Sequence, residues 1–517
     1  AGAEAASEKV LARISHDFQN HGEGLVYASL NAYRLLVPQP AEDPYWSGFT
    51  FSDGAGGAGG THVERLTAWG YTNLNSKYQG LLGMASTYRV ISNARVPGAN
   101  GLDIVAALKQ EVQVACIPLF QFAIFYSMDL EINPGPAMVI NGRVHSNATL
   151  YTEPVNSVTY LDDVTAVGDI KLHKSPLDPS SRSPGSVIFK EEHDARVSSL
   201  TLPIGTNNSP AAVREVVEIP PVGESASSLM GKQRYYNKAD LVLIVSNTTV
   251  TATSGSFNNF ATPIPSADVD KFLDTTVSFY NKREGKTIQA AQIDVAKLKK
   301  WSETNATLRS ALGGRDLSSV YVADKRSVAS SKQSGIRLVN GQTLPSLGLT
   351  VATPNPLYVQ GHYNAPAAHV GTSNTSQTKP ASLVGDSINV LSTAWNDSNS
   401  TKALGSRTAA HTTVNAAFLA GIVPSDGANY SGGVENFPRF LENWSGKTFT
   451  YNGSMVVMYY SQTAAAPWGG SDVYNAPGRN WAFDVNFLDA TKLPPGTPQI
   501  STTIRGVWDI IPPNEII

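Results

Sequence analysis

Residues 116–151 read CIPLFQFAIFYSMDLEINPGPAMVINGRVHSNATLY, and this stretch decides the predicted fold. Residues 117–126 are uncharged and rich in aromatic and β-branched side chains, which predicts a strand buried on both faces. After Pro134, apolar segments of three residues alternate with polar corners of one or two residues. Strands this short suit stacked coils, because each strand needs the next one for its burial. The stretch therefore predicts a β-solenoid.

Composition supports a β-rich chain with a neutral, polar surface. Of the 517 residues, 41% are hydrophobic and 16% are charged, and the charged share is below the usual quarter. A net charge of -3 gives no electrostatic basis for binding nucleic acid or anionic membranes. The single cysteine, Cys116, excludes an intrachain disulfide, and we interpret it as a small buried hydrophobe. No segment reaches the roughly 18 apolar residues of a membrane-spanning helix.

We expect a mainly β fold in which a right-handed parallel β-helix-like solenoid forms the body. An α/β insertion interrupts this body, and an N-terminal helix with a small antiparallel sheet precedes it. The predicted division is residues 1–118 for the helix and small sheet, 119–185 for the first part of the solenoid, 186–335 for the insertion, and 336–517 for the second part with an irregular tail. The spacing between strands is irregular, so no fixed repeat is predicted.

Helical periodicity appears at four places. Residues 1–37 predict an amphipathic helix broken near Gly22, and its start without a cap or a Met indicates a processed or truncated N-terminus. Ser266 is expected to cap a helix that continues to about residue 280. A further helix is predicted over residues 287–312, and a short one over residues 433–444.

Several blocks of this sequence resemble a known family. The block FQFAIFYSMDLEINPGPAMVINGRVHSN at residues 120–147 is similar to one in large uncharacterised bacterial cell-envelope proteins related to type IV pilus assembly, a minor-pilin-like group. The blocks LTVATPNPLYVQGHYN, ASLVGDSINVLSTAWNDSNS and TTVNAAFLAGIV, which begin at residues 349, 381 and 412, carry the same resemblance. The resemblance implies a pilin-like sheet in residues 1–118 and a surface location. It supplies no catalytic residues.

The resemblance and the composition together predict a non-catalytic extracellular structural protein. The chain would be a pilin-like subunit of a surface filament or envelope assembly with an adhesive role, and no cofactor, metal or catalytic residue is expected. We expect self-association, or a contact with pilus or envelope proteins, through residues 1–37. Deleting that segment is predicted to abolish assembly while the body stays folded. Glycans are further candidate partners, and nucleic acid is not.

The first alternative is a β-helix polysaccharide lyase or hydrolase. Its candidate residues are Asp162, Asp163, Asp169 and Lys171. Asp169, Lys171 and His173 alternate, which would place them on one face of a strand. The same acids offer the hard oxygen ligands that calcium prefers.

Other acid and histidine patterns are weaker. Asp129 and Glu131 would share one strand face and offer a carboxylate pair for glycoside hydrolysis, but a solvated face is the favoured interpretation. His145 lies beside Arg143 and Ser146, yet no nucleophile-elbow motif accompanies them. These residues are therefore not assigned to a catalytic site.

The second alternative is a carbohydrate-binding adhesin without turnover. Its candidate platform consists of the tryptophans Trp395, Trp444, Trp468 and Trp481. Tryptophans in a chain of this kind are more often core or loop anchors, and that is the favoured interpretation.

Overall fold

The computed structural model describes residues 1–55, 57, 59–98, 101–256, 259–469 and 472–513. The predicted segments 1–118, 186–335 and 336–517 each include a few residues outside these ranges. The described chain is mainly β, as the sequence predicts. It divides into two compact units: unit 1 comprises Ala1–Pro118, Leu200–Gly205 and Gln499–Ile517, and unit 2 comprises Leu119–Ser199 and Thr206–Pro498.

Unit 1 is an antiparallel sheet with helices packed against it. Its helices are α1 (Gly2–His21), α2 (Glu23–Ala28) and α3 (Leu30–Arg34), and its strands are β1 (Thr50–Ser52), β2 (His62–Arg65), β3 (Gly70–Asn73), β4 (Leu82–Pro97), β5 (Asp103–Pro118) and β33 (Gln499–Ile511), numbered in chain order. The sheet runs in the order β1-β4-β5-β33, and β2 and β3 also pair with β4. The predicted N-terminal helix and small antiparallel sheet are confirmed.

The apolar face of α1 belongs to the core of unit 1. Val10, Leu11, Ile14 and Phe18 are buried and pack in one cluster with residues of β4 and β5. At the end of α1, Gly22 has a φ of 82°, a left-handed value that glycine adopts without strain. Because this apolar face is covered by its own sheet, a partner would have to use the outer face of residues 1–37. Deleting the segment would also remove core side chains, so the deletion is not a clean test of assembly.

Unit 2 contains the remaining described elements. Its helices are α4 (Pro210–Arg214), α5 (Leu229–Gln233), α6 (Tyr235–Lys238), α7 (Ser266–Val269), α8 (Val295–Thr304) and α9 (Ala306–Ala311). Its first strands are β6 (Ile124–Tyr126), β7 (Leu130–Ile132), β8 (Met138–Ile140), β9 (Val144–Ser146), β10 (Leu150–Thr152), β11 (Ser157–Tyr160), β12 (Val164–Ala166), β13 (Ile170–Lys171), β14 (Ser186–Phe189) and β15 (His193–Ala195). The next are β16 (Leu241–Val245), β17 (Val250–Ser256), β18 (Asn259–Pro263), β19 (Leu273–Asn281), β20 (Lys286–Asp294), β21 (Ser319–Asp324), β22 (Lys332–Val339), β23 (Leu349–Ala352) and β24 (Leu357–Gln360). The last are β25 (Ala381–Gly385), β26 (Ile388–Leu391), β27 (Thr412–Asn415), β28 (Ala417–Ile422), β29 (Pro438–Phe440), β30 (Thr448–Gly453), β31 (Met455–Tyr460) and β32 (Gly478–Phe483).

Most strand pairs in unit 2 are parallel. The longest sheet runs β15-β12-β9-β6-β31-β28-β25-β23-β21-β16-β17-β18, and its pairs from β15 to β16 are parallel. A second sheet runs β19-β20-β22-β24-β26-β29 and is parallel from β20 onward. Shorter parallel sheets run β13-β10-β7, β14-β11-β8 and β27-β30-β32. Strands from the predicted insertion thus pair within the two longest sheets.

The register of residues 124–171 advances by a constant step. Ile124 pairs with Val144 and Val144 with Val164, a spacing of 20 residues each time. The next sheet repeats this step from Leu130 to Leu150 and from Leu150 to Ile170. The predicted short strands around residues 138–151 are confirmed as β8, β9 and β10. The fixed step is a regularity that strand spacing along the whole chain did not indicate.

The stretch that predicts a buried strand at residues 117–126 folds differently. β5 ends at Pro118, a 3₁₀ turn covers Leu119–Gln121, and only Ile124–Tyr126 forms a strand, β6. Proline has no backbone N–H, so it cannot continue a ladder as a donor. The apolar run is therefore shared between the end of one unit and the first strand of the other.

Three helix predictions are wrong in their extent. The helix that begins at Ser266 ends at Val269, and residues 273–281 form strand β19. The helix predicted over residues 287–312 is strand β20 followed by the shorter helices α8 and α9. Residues 433–444 hold a 3₁₀ turn and strand β29. Within the described ranges, no helix is both long and apolar enough to cross a membrane.

Candidate functional site

An open groove of about 350 Å³ lies on the surface of unit 2, and we name it the Trp481 groove. One wall consists of residues 134–139, which lead into β8, and the other consists of residues 477–481, which lead into β32. β8 and β32 are end strands of their sheets, so the groove separates two sheet edges. A hydrogen bond from the Phe483 amide to Asn141 Oδ1, at 2.9 Å, holds the two edges together.

The lining of the groove is mostly apolar, with a few polar groups. Its apolar side chains are those of Pro134, Pro136, Ala137, Met138, Val139, Pro477 and Trp481. The Arg479 guanidinium lies 5.2 Å from the centre of the Trp481 ring and donates to the Glu435 carbonyl at 3.3 Å. Among the described residues, the buried Nε of Arg479 and Nε1 of Trp481 have no hydrogen-bond partner. A ligand with oxygen acceptors would meet unsatisfied donors in this wall.

A smaller apolar pocket continues the Trp481 groove inward. It has a volume of about 40 Å³ and shares Met138, Val139 and Trp481 with the groove. Its deeper lining includes Tyr451 and Phe483. The combination of an indole, an apolar floor and a few oriented donors is typical of small-molecule sites.

The four predicted platform tryptophans divide into two pairs. Trp395 and Trp444 are 7% and 0% exposed, so they are core side chains, as the favoured interpretation holds. Trp468 is 40% exposed, and its Nε1 donates to the Tyr474 hydroxyl at 2.9 Å. Trp481 lines the groove described above. Tryptophan content alone could not separate these cases, because burial depends on contacts between distant strands.

The candidate acids of the lyase alternative lie in two ion-pair groups. Arg143 contacts Asp163 at 2.8 Å and Asp162 at 3.9 Å. Asp169 contacts Lys171 at 2.8 Å, and these cationic neighbours hold the pKa of its carboxyl below the usual range. His173 lies apart from these contacts, with its ring 5.9 Å from that of Tyr151. In the part of the chain that is described, no three His, Cys, Asp or Glu side chains are grouped to hold a metal ion.

The alternating acids of β7 and its preceding corner have different environments. Asp129 is exposed and accepts from the Thr149 amide at 3.0 Å, whereas Glu131 is buried. Burial raises the pKa of Glu131 to about 7, and the nearby carboxylates of Asp178 and Glu435 add to the shift. Glu435 itself accepts from the Tyr430 hydroxyl at 2.6 Å. Glu131 is thus an interior acid rather than half of an exposed pair.

His145 and Cys116 have no nucleophilic setting. His145 is fully buried, stacks on Phe125, and its ring nitrogens contact Thr165 Oγ1 at 2.8 Å and Asn147 Oδ1 at 2.9 Å. Burial lowers the pKa of His145 to about 4, so the ring is neutral at physiological pH. Cys116 is partly buried 3.7 Å from Ser501 Oγ, and burial raises the pKa of its thiol. A raised thiol pKa opposes nucleophilic reactivity.

Sequence reasoning missed two fully buried carboxylates of unit 2. Asp386 accepts hydrogen bonds from the backbone amides of Gln462, Thr463 and Ala464. Glu442 accepts from the amide and the hydroxyl of Ser392, both at 2.6 Å. Both acids stand alone among polar residues in the sequence, so no motif marks them. Their partners are at least 50 residues away.

A second, more polar pocket of about 280 Å³ lies elsewhere on unit 2. Its lining includes Lys379, Asp484, Phe487 and Lys492, together with several hydroxyl side chains. Lys492 Nζ donates to Asn486 Oδ1 at 3.2 Å, so part of its charge is already engaged within the pocket.

Comparison with known proteins gives one distant likeness. No family model matches this chain. No curated protein matches it either. Among solved structures, the crystal structure of the competence-associated pilin ComZ from Thermus thermophilus aligns with a TM-score of 0.34 and 10% identity, covering 99% of this chain and 96% of that chain. A likeness at this level does not determine function.

Proposed function

We propose that this chain is a non-catalytic extracellular structural protein, a pilin-like subunit of a bacterial surface filament or envelope assembly. In this proposal the parallel sheets of unit 2 are faces of a right-handed β-helix-like solenoid. The observation that carries it is the constant 20-residue register step through β6, β9 and β12. Parallel strands stacked at a fixed step bury one another and make a stiff scaffold.

The state of the candidate acids supports a non-catalytic role. Asp163 and Asp169 each contact a cation at 2.8 Å, and Glu131 is buried. A lyase or hydrolase needs acids and bases that converge on one open, substrate-sized cleft. Incubating the protein with acidic polysaccharides should therefore release no unsaturated or new reducing ends. Release that is lost on replacing Asp163 or Asp169 would instead support the enzymatic alternative.

The Trp481 groove supports an adhesive role toward carbohydrate. Sugar rings present C–H faces that pack on indole and proline, and hydroxyl oxygens that accept from donors such as Arg479 Nε and Trp481 Nε1. The volume of about 350 Å³ is in the range of small-molecule pockets, which suits one or two sugar units. The adhesive proposal therefore locates glycan binding between β8 and β32.

Replacing Trp481 with alanine should weaken glycan binding by about 10-fold or more, because truncating a central aromatic contact typically costs above 1 kcal/mol. A glycan array identifies the ligand, and calorimetry then gives the affinities of the two proteins. Val139→Asp provides a second variant that alters the groove at an exposed side chain without touching the core.

The matched control for these variants is Trp468→Ala, which removes an exposed indole outside the lining of the groove. Its glycan affinity should equal that of the unchanged protein. Equal affinities for the control and for both groove variants would contradict the placement of the site.

Assembly is proposed to use the outer face of residues 1–37. Leu25, Tyr27 and Leu35 are exposed there, with Leu35 exposed to 71%. Leu35→Glu should reduce the filaments or higher oligomers seen by electron microscopy and sedimentation several-fold, because a charge cannot be buried in an apolar contact without a partner. Its thermal unfolding should not change, since the α1 core is untouched.

The matched control is Leu172→Glu, which alters a similarly exposed leucine of unit 2 at 61% exposure. Assembly should survive this control. Assemblies that persist in Leu35→Glu as well would remove residues 1–37 from the proposal.

A further inference from the structure

One end of strand β33 is exposed on both faces. Residues 505–510, read RGVWDI, are exposed without interruption, whereas the preceding half of the strand is largely buried. Val507, Trp508 and Ile510 are 48%, 47% and 75% exposed. Apolar side chains on both faces of a strand indicate a surface that another chain covers.

The same segment lies at an edge of the unit 1 sheet. β33 is the end strand in the order β1-β4-β5-β33, and it pairs with β5 on its inner side. Near its start, the Ser501 amide donates to the Thr201 carbonyl at 2.8 Å, which covers the outer side there. Among the described residues, no strand pairs with the outer side of residues 505–510. Alternate N–H and C=O groups of such an edge are available to a further strand.

The sequence of this edge is complementary to itself when read in opposite directions. In an antiparallel pair of identical strands centred on Val507, each Arg505 lies opposite Asp509 of the second copy. Gly506 lies opposite Trp508, and Val507 lies opposite its own equivalent. Opposite charges across strands are favourable, and an aromatic side chain covers a facing glycine. A shift of the register by one residue would lose both of these matches.

The charged side chains remain open enough to take part. Arg505 and Asp509 have side chains 60% and 50% exposed. Within its own chain Arg505 pairs with Glu8, and Asp509 lies 3.2 Å from Lys109. A facing strand would extend these two pairs into alternating charge networks. A register shift between Arg505 and Trp508 marks a β-bulge on the β5 side, which discourages an arbitrary strand from adding and so favours a matched one.

We propose that a second copy of this chain pairs antiparallel with residues 505–510 of β33, around a two-fold axis at Val507. The proposal deepens the assembly role proposed above and rests on it, but it uses a different surface from residues 1–37. A closed two-fold contact of this kind makes a dimer, and a second contact would be needed to extend it into a filament.

A cysteine series tests the register directly, in full-length protein with Cys116→Ser to remove the native thiol. Val507→Cys should form a disulfide-linked dimer on mild oxidation, because facing Cα atoms in antiparallel strands are about 4.5–5.5 Å apart, within disulfide reach. Arg505→Cys alone should not, since its equivalent in the second copy is displaced by about 14 Å along the strand. An equimolar mixture of Arg505→Cys and Asp509→Cys should cross-link as the mixed pair.

Light scattering after size exclusion tests the contact without oxidation. Ile510→Lys should raise the dimer dissociation constant by about 10-fold or more, whereas Leu102→Lys, at a 77% exposed position outside the paired segment, should not. A monomer at about 100 μM, or cross-linking of Arg505→Cys as strong as that of Val507→Cys, would overturn the proposal. A dimer that persists in Leu35→Glu would support it, so failure of the residues 1–37 contact and failure of this contact are distinguishable.

Discussion

Replacing Asp386 with alanine should destabilise unit 2 by about 3–5 kcal/mol, the largest effect that we expect of a single substitution in this chain. The carboxylate is fully buried and accepts from the amides of Gln462 at 2.7 Å, Thr463 at 3.1 Å and Ala464 at 2.7 Å. Arg214 Nη1 lies 2.8 Å from its Oδ1. Alanine would leave a buried guanidinium without its counter-charge and three amides without an acceptor, and both losses carry a desolvation penalty.

Denaturant unfolding followed by circular dichroism measures this loss. The matched control is Asp426→Ala, because Asp426 also accepts from backbone amides, those of Ala428 and Asn429, but is exposed. Water replaces its bonds, so the control should lose no more than about 1 kcal/mol. Asp386→Asn should be intermediate, since it keeps one acceptor oxygen and removes the charge. Equal losses for the alanine variants at the two positions would show that burial of Asp386 is not what makes it important.

Raising the pH from about 5 to about 8 should weaken the contribution of Glu131 and Glu442 to stability. Burial raises the pKa of each carboxyl from 4.5 to about 7. The native state therefore holds these protons over a pH range in which the unfolded chain has released them. The stabilisation is fully present below about pH 4.5 and is lost as the pH rises through about 7. At 1.36 kcal/mol for each pKa unit, the upper bound is about 3 kcal/mol for each group.

The comparison that isolates this effect is the unfolding free energy of each variant, Glu131→Gln and Glu442→Gln, against that of the unchanged protein across the same pH range. Each variant should lose less stability than the unchanged protein between pH 5 and 8. His145 acts in the opposite direction, since its pKa of about 4 means that stability is lost as the pH falls from 6.5 through 4. Because His145 is common to all three proteins, its contribution cancels. Parallel curves for all three would show that neither carboxyl titrates in this range.

The short strands could be predicted because their corners are chemically explicit. Pro134, Asn141 and Gly142 interrupt apolar triplets, and β8 begins and ends between those interruptions. The 20-residue step was also present in the sequence: residues 124, 144 and 164 each begin an apolar triplet with the same distance between them. Aligning the chain on itself would have revealed it, whereas strand spacing along the whole chain hid it. Longer connections dilute the pattern elsewhere, such as the loop that shifts Ser157 to pair with Ser186.

The wrong helices show where periodicity misled. Residues 273–281 carry Thr275, Thr276 and Val277, whose β-branched side chains favour a strand despite an approximate helical stripe. Residues 286–294 pair with β19 and β22 on their two sides, and this tertiary pairing overrides a pattern compatible with a helix. Where Leu298 and Trp301 lie, the helical spacing was correct and α8 forms.

The candidate groove was only half predictable. Trp481 was among four candidate tryptophans, but its opposite wall comes from residues 134–139, more than 300 positions earlier. No local pattern connects segments that far apart. Asp386 was harder still, because a single Asp in a polar loop is typical of a solvent-exposed corner. Its importance arises from three amides that the fold delivers from residues 462–464.

The constant register also sets the grain in which this chain tolerates changes of length. Deleting residues 144–163 would join position 143 to position 164, whose local environment matches that of position 144. A shorter deletion would displace every later side chain from its neighbour above and below. Extra residues are accommodated only where they bulge outward between strands, as the nine added between Ser157 and Ser186 do. Over evolution or in engineering, such a protein should grow and shrink by whole 20-residue increments.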